Sequence, residues 1–258
     1  MKEKRNFWSA ALSFFLCALC ILPFLYVLMA SFRLHQGEFT LRYYYDVFIA
    51  QSRYLIRFWK SVGLSTVIAA GQVAVSALAA FAFAKYRFRG KYGLFFLLMI
   101  LMILPLQVTL MPNYIILQEI RLLDTYAALA LPAIIVPLGT FILTQSFRAI
   151  PGSVIEAARI DGCKLPVLLL KILMPMSRNA LICVFLLSFL DAWNMVEQPI
   201  TYIKGFVDYP IAVALASVPP GDPTVLLTAC VLVTLPPLGL FAFFNRELTE
   251  GIALGGEK

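Results

Sequence analysis

Asp191, Asn194 and Glu197 stand at i, i+3 and i+6 inside an otherwise apolar run, with Trp193 between them. On a continuous helix this spacing inclines two carboxylates and an amide along one face. A charge near the middle of a bilayer costs at least ~2.5–3.5 kcal/mol, so such groups face a water-filled path or a partner helix. Two readings stay open: a lining for a polar solute, or a hydrogen-bond network between spans. For Glu197 the second reading includes a shallow position near the outer interface, where it simply meets water. Gln107 and Thr109 form another polar pair in an apolar run. Pro105 precedes them, and a bend there would turn them towards a cavity, although a packing kink explains the proline equally well.

A different kind of chemistry is written in the polar island Pro151-Gly-Ser-Val-Ile-Glu-Ala-Ala-Arg-Ile-Asp-Gly162, followed by Ile172-Leu-Met-Pro175. Ser153 and Glu156 have the spacing of a capping box, in which each side chain satisfies an N–H at a helix start. Gly162 is suited to the left-handed residue that ends a helix. The predicted helix has about eight residues and is roughly 12 Å long. So short a helix is marginal alone and needs a surface to pack on. Ala157 and Ala158 add no bulk and would let a partner approach the backbone, so the island reads as a docking peg.

Other chemistry is excluded. No G-x-x-x-x-G-K-[ST] loop is present for binding ATP phosphates. The single histidine, His35, has no second histidine with which to build a metal site. No Ser/His/Asp set can form around a catalytic helix, so an enzyme in its own right is not expected. Basic residues interleaved with exposed aromatics on a soluble face are lacking, which argues against nucleic acid as a partner.

The elements that must position these residues are membrane spans. Of 258 residues 61% are hydrophobic and 14% charged, and mean hydropathy is +0.87. A soluble domain carries about a quarter charged residues. Six runs approach the ~20 apolar residues needed per helical crossing, at about 8–32, 61–84, 92–112, 125–146, 180–203 and 223–244. The expected fold is an all-α membrane protein with six transmembrane helices. The first run is read as a retained span because it lacks a small-x-small cleavage pair.

The 21 Lys and Arg set the expected orientation. With both termini cytoplasmic, Arg33, Arg42, Arg53, Arg57, Lys60, Arg121 and Lys204 lie outside, and the other fourteen, including the Lys85–Lys91 cluster and Lys258, lie inside. The docking island is then cytoplasmic, and the net charge of +7 is mostly a topology signal. The second span is rich in small residues, from Ser61 and Gly63 to Ala79 and Ala80, which suits a central or interface helix. The five cysteines are read as inert thiols buried in apolar runs, apart from Cys163 after the island. Cys17-Ala-Leu-Cys20 lacks the electropositive, wet setting that activates a thiol.

Glu156-Ala-Ala158, Gly162 and Ile172-Leu-Met-Pro175 resemble the cytoplasmic loop of permease subunits from bacterial binding-protein-dependent ABC importers. Phe81-Ala-Phe-Ala-Lys-Tyr-Arg-Phe-Arg-Gly-Lys91, Leu104-Pro-Leu-Gln107, Met111-Pro-Asn-Tyr114, Leu123-Asp-Thr-Tyr126 and Trp193-Asn194 resemble the carbohydrate branch, in particular its maltose-type second permease. The resemblance covers roughly residues 60–258. It implies the type I ABC importer permease fold in a bacterial cytoplasmic (inner or plasma) membrane. Residues 1–60 would supply the first span and a basic extracytoplasmic segment, and residues 61–258 a five-span core with a coupling loop at about 147–179.

The same resemblance implies partners: a second permease subunit, two ATPase subunits that carry ATP and Mg, and an extracytoplasmic solute-binding protein. This chain would bind no cofactor itself. Ser153, Glu156, Ala157, Ala158, Arg159, Asp161 and Gly162 would dock the ATPase, with the tail Arg246–Lys258 near it. Gln107, Asp191, Trp193, Asn194 and Glu197 are the candidate path. Met195 stands where relatives have Asp after Trp-Asn, and Lys60-Ser61 where they often have Asn-Ser, which leaves the cargo open between a sugar or oligosaccharide and a solute such as a glycerophosphodiester. An ion-coupled carrier using Asp191 or Glu197 is the competing class, and it has no need of a docking peg.

Overall fold

Small residues let the third helix lie at the centre of a helical bundle. The computed structural model describes residues 2–32, 40–45, 47, 52–205, 209–216 and 223–256, among which there is no strand. His35, Arg33 and Lys258 lie outside them. In chain order the first helices are α1 (Lys2–Ser31), α2 (Arg42–Tyr45), α3 (Ser52–Lys85), α4 (Lys91–Leu101), α5 (Leu106–Glu119), α6 (Tyr126–Ile134), α7 (Pro137–Ala149) and α8 (Gly152–Ile160). Next come α9 (Leu165–Val167), a π-helical turn (Leu168–Leu173) and α10 (Met174–Met176). The rest are α11 (Arg178–Trp193), α12 (Glu197–Tyr202), α13 (Ile211–Ala216) and α14 (Pro223–Gly256).

Ser61, Ser65, Ala69, Ser76, Ala77 and Ala80 of α3 are all buried, and α3 packs on α6, α7 and α11. The approach to α7 is close: a Cβ on Gly139 would lie 2.5 Å from Ser76 Oγ and 3.0 Å from Val184 Cγ1. The membrane-helix rule that small residues admit neighbouring backbones thus has a specific site here. Helix α1 instead packs along α14 at the edge of the bundle. Its Cys17 and Cys20 are exposed on the bundle surface, and only Cys183 of the five free thiols is buried by protein. Cys230 on α14 is half-buried, so of the apolar-run thiols Cys183 is the one that protein packing encloses.

Among the described residues, four unbroken segments have the length and apolarity of spans: Leu12–Ser31, Tyr54–Lys85, Tyr126–Ala149 and Thr224–Thr249. Two more arise only from bent pairs, Lys91–Leu101 with Leu106–Glu119 at 103°, and Leu165–Met176 with Arg178–Trp193 at 84°. The run at 92–112 is therefore not one straight helix. Pro105 is extended, at φ −67° and ψ 146°, and it removes an N–H while disfavouring helix at Leu104.

The run at 180–203 is corrected more strongly. Helix α11 has 16 residues and stops at Trp193, about 24 Å of helix and short of a crossing. Asn194 leaves the helix at φ −90° and ψ 8°, and its Nδ2 donates to the Leu190 carbonyl at 2.9 Å. The same carbonyl accepts the Asn194 backbone N–H at 3.0 Å, so backbone and side chain together close the last turn. The Leu165–Met176 segment before α11 is turned away by 84°, and its Leu168 and Leu173 pack with Ile155 and Ala158.

Candidate functional site

The island folds as a helix held against one end of the bundle. Ile155 and Ala158 are buried in a cluster with Phe81, Leu143, Phe147, Leu168, Leu173 and Val184. Ser153, Glu156, Ala157, Arg159, Asp161 and Gly162 are exposed. At 100° per residue, 155 and 158 share one face and 153, 156, 157 and 160 share the opposite one. Ala158 is thus corrected from docking contact to inward anchor, only 6% exposed.

Ile160 belongs on the outward face and was missed: it is an apolar side chain left 86% exposed by the described residues. Its signal in the sequence is its i+4 relation to Glu156 and i+3 relation to Ala157.

The start of α8 also differs from the expected capping box. Helix begins at Gly152, with Pro151 as its N-cap and no side-chain cap bond. Pro151 takes φ −57° and ψ 141°, the extended conformation an N-cap requires, and its ring fixes that φ. Ser153 therefore lies inside the first turn, where its hydroxyl has no capping role. The end of the helix is as read: Gly162 has φ +71°. The Gly162 N–H donates to Arg159 O at 3.0 Å and the Cys163 N–H to Ala158 O at 2.9 Å. This is the paired pattern of a Schellman motif, with Asp161 as C-cap.

The candidate path residues separate into three environments. Trp193 is 2% exposed, stacked on Phe189 at 5.8 Å and edge-on to Phe58 at 5.7 Å. It is a core side chain, so its placement in a path is corrected. Asp191 edges a cavity of about 10 Å³ with Gln72, Gly139 and Ser188, room for about one water.

Asn194 closes α11 and Glu197 opens α12, so the three polar groups do not share one helical face. Glu197 instead meets Gln107, whose Nε2 donates to its two carboxylate oxygens at 3.0 and 3.2 Å. Both are exposed.

Beside this pair, α12 is tied to the turn between α5 and α6. The Lys204 N–H donates to Asp124 Oδ1 at 2.6 Å, the Asp124 N–H to Tyr202 O at 2.9 Å, and the Tyr202 hydroxyl to Leu110 O at 3.2 Å. Asp124, at φ +64°, entered the sequence reading only within the motif Leu123-Asp-Thr-Tyr126, with no role of its own. Its signal is a short polar residue, tolerant of left-handed φ, just before the Thr125 cap.

Comparison with known proteins places this geometry. A family model described as "Binding-protein-dependent transport system inner membrane component" matches residues 72–246. The chain is 28% identical, over 100% of both chains, to the arabinooligosaccharides transport system permease protein AraQ of Halalkalibacterium halodurans. It is 31% identical, over 75% of this chain and 71% of the relative, to the sn-glycerol-3-phosphate transport system permease protein UgpE of Agrobacterium fabrum.

A solved bacterial ABC transporter involved in import of the acidic polysaccharide alginate has a chain that aligns with a TM-score of 0.78. That alignment covers 93% of this chain and 95% of that one at 19% identity, a likeness of fold. The match over residues 72–246, most of the bundle and the whole of α8, shows that this multi-pass membrane protein belongs to the inner membrane components of binding-protein-dependent transport systems.

Proposed function

We propose that this chain is one permease subunit of an ATP-driven importer that carries a sugar or oligosaccharide into the cell. The observation that carries the reading is the division of α8: Ile155 and Ala158 anchor it to the bundle while Glu156, Ala157 and Ile160 project outward. A motor subunit that grips such a helix displaces the packed core beneath it, and a two-state bundle responds when the two states make different contacts at that grip. A second permease completes the pathway, two ATPase subunits hold ATP and Mg, and an extracytoplasmic binding protein delivers the solute. Both termini and the Lys85–Lys91 cluster are cytoplasmic in this arrangement, in keeping with the positive-inside bias.

The full-length likeness to an arabinooligosaccharide permease supports carbohydrate cargo. So does the chemistry of Gln107, Asp191, Asn194 and Glu197, which offers hydrogen-bond acceptors and amides suited to hydroxyl groups. The likeness to sn-glycerol-3-phosphate permeases favours a phosphate ester as the second reading. Proteoliposomes holding the assembled importer, its binding protein and internal ATP test the assignment. ATP-dependent uptake of labelled arabinooligosaccharide, not of glycerol-3-phosphate, is expected. Uptake by this chain alone, driven by an ion gradient, overturns the importer reading in favour of a carrier.

A further inference from the structure

Between the end of α7 and the start of α8 the chain turns a corner of two extended residues, Ile150 (φ −71°, ψ 125°) and Pro151. A helix C-terminus leaves carbonyls without intrahelical partners. Here a cation from another span takes one of them: Lys85 Nζ, in the last turn of α3, donates to the Ile150 carbonyl at 2.9 Å across 65 residues of chain. Ile150 is itself 7% exposed, within the cluster that holds Ile155 and Ala158. The same corner reaches a third helix, since the Arg148 guanidinium stands 4.6 Å from the ring centroid of Phe95 in α4.

We propose that Lys85 is a positioning residue for coupling: its ammonium on the Ile150 carbonyl passes displacement of α8 directly into α3. The inference rests on α8 as the motor's grip and adds the route by which the grip moves the bundle. Apolar packing under α8 is non-directional and lets side chains slide, whereas a charge-assisted hydrogen bond fixes one atom to another. Helix α3 packs on α6, α7 and α11, more extensively on α7 and α11 than those two pack on each other. A rigid link at its end therefore moves the centre of the bundle along with the corner.

The test uses the assembled importer with Ala157→Cys in this chain as a cross-linking probe for the ATPase. Into that background go Lys85→Met, which keeps the apolar stem, and Lys85→Arg, which keeps the donor. Read out are cross-link yield, thermal stability, and solute transported per ATP hydrolysed. The expected result is unchanged cross-linking and melting for Lys85→Met, a fall of about tenfold in transport per ATP, and recovery in Lys85→Arg.

Lys85→Met with full transport per ATP and intact cross-linking overturns the role of Lys85 alone. Loss of stability and assembly in step with transport also overturns it, in favour of a purely structural bond. Failure of Ala157→Cys to capture the ATPase in otherwise unaltered protein overturns the docking assignment itself, and the route with it.

Discussion

Gln107 donates from one nitrogen to both carboxylate oxygens of Glu197, at 3.0 and 3.2 Å, across 90 residues of chain. Gln107 is the second residue of α5, just past the 103° bend, and Glu197 is the first residue of α12, just past the end of α11. The bond joins two places where helix geometry is interrupted. Each interruption frees a polar side chain from the regular face of a span, and the two find each other.

A double-mutant cycle on this pair gives a first prediction. Both side chains are exposed, so their bond contributes about 1 kcal/mol or less. Gln107→Ala and Glu197→Ala are each expected to lower uptake by about fivefold or less, and the double variant to lower it no further than either alone. Additive losses in uptake assays would show that the two act independently.

The two faces of α8 are expected to respond oppositely to the same change. Ile160→Asp on the 86% exposed position leaves melting of the purified chain unaltered and abolishes stimulation of ATP hydrolysis by the loaded binding protein. Ala158→Asp, at 6% exposure, places an unpaired charge in the core and unfolds that end of the bundle, because such a group leaves water without compensation. Equal melting temperatures for the two variants would contradict this division.

Glu156→Lys and Gly162→Asp are expected to uncouple ATP hydrolysis from transport while membrane insertion proceeds. At Gly162 the cause is backbone: φ is +71° and an added Cβ meets nothing within 4 Å, so the cost is conformational, about 1 kcal/mol. Gly162→Ala should therefore be at least as damaging as Gly162→Asp, since Asp tolerates a left-handed φ better than Ala does, as seen by binding-protein-stimulated ATPase activity.

Gly139→Ala tests the close approach of α3 and α7. Its new Cβ would stand 2.5 Å from Ser76 Oγ, and overpacking of this kind costs about 1–3 kcal/mol. Thermal unfolding in detergent should occur at a lower temperature, with partial recovery when Ser76→Ala removes the hydroxyl. No recovery would place the strain at Val184 instead.

Trp193→Ala is expected to cost about 3–5 kcal/mol by leaving a cavity beside Phe58 and Phe189, and to abolish assembly. Asp191→Ala, at the edge of a one-water cavity, should alter transport more than assembly if the carboxylate serves the path. Subunit co-purification set beside uptake separates the two outcomes.

The sequence by itself determined what depends on neighbours along the chain. Composition demanded helices through a bilayer, the small residues of α3 marked the central span, Pro105 marked a break, and Gly162 marked the end of α8. These follow from backbone sterics, helix period and transfer energies, which act over a few residues.

Tertiary structure decided what depends on where distant segments meet. Trp193 and Ala158 look available in a linear reading, yet aromatic and aliphatic neighbours bury them. Ser153 loses its capping role because the extended Pro151 starts the helix earlier. The pairings of Gln107 with Glu197 and of Lys85 with Ile150 join residues 90 and 65 positions apart. Periodicity carries no information at such separations, since the contact exists only once α3, α5, α7 and α12 have been brought together by packing.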